Sequence, residues 1–140
     1  MDNNQILKPS QVVKNYLDTF FSKDIEKTLD CLTDDVVWQV QGAAKVPTIG
    51  TRKGKDEVRA WLELFPVNFK PLEFNIERFF DQDDECVITG HVKHQILSTD
   101  RIFASDFAAV CRIREGKICS YKFLEDSYGL WESFQSNQLL

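Results

Sequence analysis

The sequence predicts an α+β domain: a curved antiparallel β-sheet wrapped around N-terminal helices, forming a cone with a hydrophobic cavity. Three observations carry this expectation. Apolar residues recur at helical spacing in the first half of the chain, and they alternate in long runs from Leu72 onward. The chain is also rich in large rings, with 11 Phe and 3 Trp among its 140 residues. Long strands curl, and helices covering the concave side leave a hollow of the kind that binds small molecules.

Each element follows from its residues. Ser10, with Pro9 just before it, reads as the N-cap of a first helix. Val12, Val13, Tyr16, Leu17, Phe20 and Phe21 then recur every three or four residues. Ser22-Lys23-Asp24 breaks this helix, and Asp24 can cap a second one carrying Ile25, Leu29 and Leu32. Thr33-Asp34-Asp35 ends the pair, and 36–40 reads as a strand. Residues 42–54 hold Pro47, Gly50 and Gly54 and read as a loop. A third helix presents Val58, Trp61, Leu62 and Phe65 on one face, with Pro66 as its stop.

The pattern then changes to β. Leu72, Phe74 and Ile76 alternate, and the acidic tip Asp81-Gln82-Asp83-Asp84 turns the chain into a strand over 86–97. Residues 98–101 turn it again into a long hairpin, 107–126. Arg114-Glu115-Gly116-Lys117 forms the hairpin's turn, with Gly116 where positive φ is needed. Alternation places Phe107, Ala109, Cys111 and Ile113 opposite Asp106, Ala108, Val110 and Arg112. After the turn, Cys119, Tyr121 and Phe123 share a face. A short helix over 128–134 closes a single domain spanning 1–140, whose first nine residues read as a poorly ordered tail.

Composition removes several function classes. The net charge is −5, spread without a basic stripe, so a nucleic-acid partner is not expected. No run approaches the roughly 18 apolar residues of a membrane helix, and the N-terminus lacks a signal-peptide pattern. A cytoplasmic protein without a membrane partner is the expectation. Cys31, Cys86, Cys111 and Cys119 show no CxxC or His-paired spacing and read as small buried hydrophobes. With 2 histidines, both on one predicted strand, no metal set is expected, and no motif calls for a cofactor.

Taken together, YLDTFFSKDIEKTLDCLTDDVVW (16–38), the Pro47, Gly50, Gly54 and Val58 loop-and-helix, and AAVCRIREGKI leading to Glu125-Asp126-Ser127 carry a resemblance. The chain resembles the SnoaL-like, ketosteroid-isomerase-related branch of the nuclear-transport-factor-2-like superfamily, from about Val12 to Leu130. The resemblance implies the cone fold and leaves function open, because that scaffold hosts isomerases, cyclases, hydrolases and binders. It also implies that familiar chemistries are missing. The isomerase general base would fall at Val40, and the strand Asp donor near Ala108 or Ala109; only the helix-1 tyrosine is kept, as Tyr16. The water-holding set of the epoxide hydrolases would need polar groups at Trp38, Val40 and Phe123, and in the region 90–92. The cyclase histidine position is Ala109.

His94 is the sharpest candidate that remains. It shares a face with Ile88, Val92 and Ile96, while His91 faces away with Thr89, Lys93 and Gln95. If that apolar face lines the cone, burial favours neutral imidazole, suited to accept a proton. A hydrogen-bonded core or dimer-interface histidine is the alternative. Tyr16 could donate its phenol to a substrate oxygen, or serve as a core tyrosine. Trp38, Val40, Trp61, Phe65, Val92, Phe107, Ala109, Tyr121 and Phe123 are the expected ligand-contacting wall. Asp126 reads as a cap, and Asp106 as a salt-bridge partner of Arg101 or Arg112. The expected protein is therefore a homodimer, paired through the outer sheet face, that binds a hydrophobic small molecule. It would act either as a cofactor-free acid/base enzyme or as a non-catalytic binding or assembly module.

Overall fold

Apolar alternation over the second half of the chain builds one curved, unclosed sheet of six strands in the order β2-β1-β6-β5-β4-β3. The structure is a computed structural model, and it describes residues 7–135. The elements are α1 (Pro9–Phe21), α2 (Ile25–Asp30), β1 (Leu32–Val40), β2 (Gly50–Lys53), α3 (Lys55–Asn68), β3 (Phe69–Gln82), β4 (Glu85–Ile96), β5 (Ile102–Arg114), β6 (Lys117–Glu125) and α4 (Ser127–Ser133). Neighbouring strands are antiparallel except β1 and β6, which run parallel.

Bulges bend the sheet. Register shifts fall between Pro71 and Glu73 and between Ile76 and Arg78 on β3, and between Arg112 and Ile113 on β5. Gly90 on β4 allows the closest approach. A Cβ there would lie 2.0 Å from the Asn75 carbonyl oxygen and 2.8 Å from the Phe107 ring. The concave face is filled by α1 through Val12, Val13, Tyr16 and Leu17, and by α3 through Val58, Trp61 and Leu62. Opposite them stand Trp38, Ile88, Val92, Phe107, Ala109 and Cys111, all buried.

The strand faces predicted for β4 and β5 are those observed. The tight turn also holds: Glu115 and Gly116 have φ of 54° and 77°. Asp24 caps α2 by accepting from the Lys27 N–H at 3.1 Å, and Asp126 caps α4 by accepting from the Gly129 N–H at 2.9 Å.

Several expectations are corrected. The N-cap of α1 is Lys8, whose N–H donates to Gln11 Oε1 at 2.9 Å; Pro9 is the first helical residue. Ser10 lies inside the helix and donates to Asp81 Oδ2 at 2.6 Å. Residues 1–6 of the expected tail lie outside the described residues. Leu32 starts β1 rather than ending α2, and the loop contains β2, which pairs with β1 at Val37–Val40. Pro66 sits inside α3, which runs on to Asn68; only one backbone donor is lost, in the last turn. Leu72 is turned outward by the bulge beside it, and the bulge at Cys119 takes that residue off the face of Tyr121. Only Cys86 and Cys111 are buried; Cys31 and Cys119 are half-buried, and all four are free thiols. Asp106 pairs with His91 Nδ1 at 3.2 Å, while Arg112 pairs with Glu85 at 2.9 Å.

Candidate active site

Between α1, α3 and the sheet lies a cavity with about 60 Å³ of free space. Its wall gathers most of the residues singled out in the sequence: Tyr16, Val40, Trp61, Phe65, Val92, His94, Tyr121 and Phe123. Tyr16 arrives from α1 because it lies one helical turn before Phe20 and one after Val12, on the stripe that packs into the sheet. His94 arrives from β4 because strand alternation carries the even-numbered residues inward. The two side chains therefore reach one void from two layers of the fold.

Three expected wall residues stand behind that wall. Trp38 is stacked on Tyr121, with ring centroids 4.0 Å apart and planes 13° apart. Phe107 stacks on Phe123 at 5.1 Å and on Phe74 at 4.8 Å. Ala109 is fully buried opposite Phe123 in the strand register. They shape the lining without reaching the space.

The polar groups of the cavity are few and tuned by burial. His94 is wedged between Phe65 and Phe69, at centroid distances of 5.6 and 5.2 Å. Its Nδ1 is buried and has no hydrogen-bond partner among the described residues. Desolvation pushes the imidazole pKa down to about 4, so the ring is neutral near pH 7. Burial also raises the Tyr16 phenol well above its ordinary value, with the neighbouring Tyr121 a lesser contribution, and keeps Tyr16 a proton donor. Trp61 is oriented by its Nε1–H, which donates to the Thr48 carbonyl at 3.0 Å.

Glu125 is a cavity residue that the sequence reading missed. Burial pushes its carboxyl pKa up to about 7, and the nearby Asp126 charge adds to the rise. The signal was available: Tyr121, Phe123 and Glu125 form one alternating series at the end of β6. Among the described residues no cluster of His, Cys, Asp and Glu has the makings of a metal site. The site offers a neutral imidazole whose buried Nδ1 lacks a hydrogen-bond partner among the described residues, a phenol donor and a carboxyl that titrates near neutrality. Those are the components of general acid/base chemistry.

Residues 13–121 match the family model of the SnoaL-like domain. This chain belongs to the SnoaL-like domain family. The SnoaL-like chain is also similar in fold to solved structures. An NTF2-like protein from Burkholderia xenovorans aligns over 94% of this chain and 100% of its own, at 20% identity and a TM-score of 0.86. An NTF2-like protein of unknown function from Burkholderia pseudomallei aligns over 94% and 100%, at 20% identity and a TM-score of 0.85. TerC, co-crystallised with polyporic acid, aligns over 91% and 98%, at 21% identity and a TM-score of 0.79. No curated protein matches the sequence. No helix among the described residues is long and apolar enough to cross a membrane.

Proposed function

We propose that this SnoaL-like protein binds a hydrophobic, carbonyl-bearing small molecule and acts on it by cofactor-free acid/base chemistry of the isomerase, cyclase or lyase type. His94 is the proton acceptor, and Tyr16 is the donor to the developing oxyanion. The observation that carries this reading is the unpartnered, buried His94 Nδ1 on the wall of a cavity that Tyr16 also lines. A buried polar atom without a partner costs stability, and the cost is recovered when a ligand supplies one. Glu125, titrating near pH 7, can return the proton to the substrate or exchange it with water. TerC, a structure of the same fold, was co-crystallised with polyporic acid, which gives a small organic ligand a precedent on this scaffold.

The free thiols fit a reducing, cytoplasmic setting. The proposal includes a homodimer. Phe80, Val87 and Val110 are register partners across β3, β4 and β5 and form an apolar row on the outer face, where Ile102 is also exposed.

Native mass spectrometry of the purified full chain tests the reading. The expected result is a co-purifying hydrophobic carbonyl compound whose turnover disappears in His94→Ala. Unchanged turnover in that variant would remove His94 from the mechanism, and leave binding without acid/base catalysis by His94.

A further inference from the structure

The inner cavity adjoins a larger groove of about 580 Å³, bounded by the ends of α1 and α3, the start of α2 and the start of β3. Phe20, Phe21, Phe65 and Phe69 line both spaces. They form a continuous row, with centroid spacings of 5.0 Å from Phe21 to Phe20, 5.4 Å from Phe20 to Phe65 and 5.0 Å from Phe65 to Phe69. The inner space, about 60 Å³, is roughly a tenth of the outer one. On this scale a single water needs about 10–15 Å³, so the inner cavity takes a head group and not a whole polycyclic molecule. The body of any such ligand must lie across the phenylalanine row and in the groove.

The groove has its own chemistry. Ile25, Leu62, Pro66 and Leu97 contribute apolar surface, while among the described residues Lys23 and Lys70 contribute the only charges of the wall, with no carboxylate beside them in it. Neither lysine forms an ion pair among the described residues, a state they share with lysines elsewhere on the surface such as Lys45 and Lys53. Lys23 is placed at the α1–α2 break by a left-handed backbone, φ 63°. In a chain of net charge −5, two unneutralised cations beside an apolar groove form a local attraction for anions.

We propose that the groove is the outer half of the ligand site and selects hydrophobic small-molecule anions, seating a carboxylate or sulfonate at Lys23 and Lys70. The proposal rests on the reading of the inner cavity as a ligand site. It adds the ligand's charge and the end at which that charge lies. The carbonyl end enters past the phenylalanine row toward His94, and the anionic end stays at the lysines.

The test uses two dyes of similar shape, one anionic and one neutral, with fluorescence titration of the full chain at low salt. The anionic probe is 1-anilinonaphthalene-8-sulfonate, and the neutral probe is N-phenyl-1-naphthylamine. Lys23→Gln/Lys70→Gln is expected to weaken the anionic dye about tenfold and leave the neutral dye unchanged. The charge-matched control Lys45→Gln/Lys53→Gln, whose lysines lie off the groove, is expected to change neither. Unchanged affinity for the anionic dye in Lys23→Gln/Lys70→Gln, or equal weakening of both dyes, overturns the anion-selective groove while the inner-cavity reading stands. Binding of neither dye by the unmodified protein overturns both.

Discussion

His94 and Glu125 line the same cavity with their proton affinities displaced in opposite directions, the imidazole down to about 4 and the carboxyl up to about 7. Burial is the main cause of both shifts, because each group is held in its neutral form by an apolar wall. His94 is thus a neutral imidazole throughout the physiological range. The acid keeps a proton near pH 7, where an ordinary carboxyl would have lost it.

This displacement has a signature in stability. Between about pH 6.5 and 4 the unfolded chain protonates His94 and the folded chain does not, so its contribution falls as pH falls through that window. Between about pH 4.5 and 7 the folded chain holds the Glu125 proton and the unfolded chain does not, so its contribution falls as pH rises. Glu125→Gln is therefore expected to stabilise the protein by about 1–2 kcal/mol at pH 8 and little at pH 4. Urea denaturation at both pH values checks this, and an equal gain at each would point to packing instead of titration.

Gly90 is expected to tolerate no side chain. In Gly90→Ala the new Cβ would meet the backbone oxygen of Asn75, on the strand hydrogen-bonded beside it, with the Phe107 ring also in the way. A loss of about 3 kcal/mol or more is expected, because backbone must move and not only a side chain. Thermal unfolding measures it, and a shift of only a degree or two would show that β3 yields easily.

The hairpin turn offers a gain. Glu115 adopts φ 54° ahead of Gly116 at φ 77°, the two-residue geometry that Asn-Gly favours. Glu115→Asn is expected to stabilise by about 0.5–1 kcal/mol, measured as a rise in the urea midpoint without a change in slope.

The outer apolar row gives the proposed dimer its test. Val110→Glu places a charge opposite Val87 on the outer face, where a monomer solvates it and a dimer through that face does not. Sedimentation velocity is expected to show a dimer for the unmodified chain and a monomer for the variant.

The sequence displayed most of this fold and part of the site, for identifiable reasons. Strict alternation on β4 and β5 gave the correct faces, so His94 could be set inward and His91 outward from sequence alone. Alternation fails where a bulge inserts a residue, and that is why Leu72 and Cys119 were set on the wrong side. Depth is not encoded in alternation either. Trp38, Phe107 and Ala109 face inward as expected, yet stacking on Tyr121 and Phe123 sets the tryptophan and the phenylalanine behind the wall. Glu125 is hard to read as a site residue because a carboxylate at a strand end is ordinarily solvent-facing, although its parity with Phe123 points inward.

If His94 removes a proton from carbon while Tyr16 holds the oxyanion, the protein must catalyse exchange of that proton with solvent. 2-Tetralone, a flat bicyclic ketone with exchangeable protons beside its carbonyl, is incubated with the protein in deuterated buffer and followed by proton NMR. Protein-catalysed deuterium uptake is expected, falling about 10²–10⁴-fold in His94→Ala and about 10²-fold in Tyr16→Phe. Uptake that persists at full rate in His94→Ala would contradict the account.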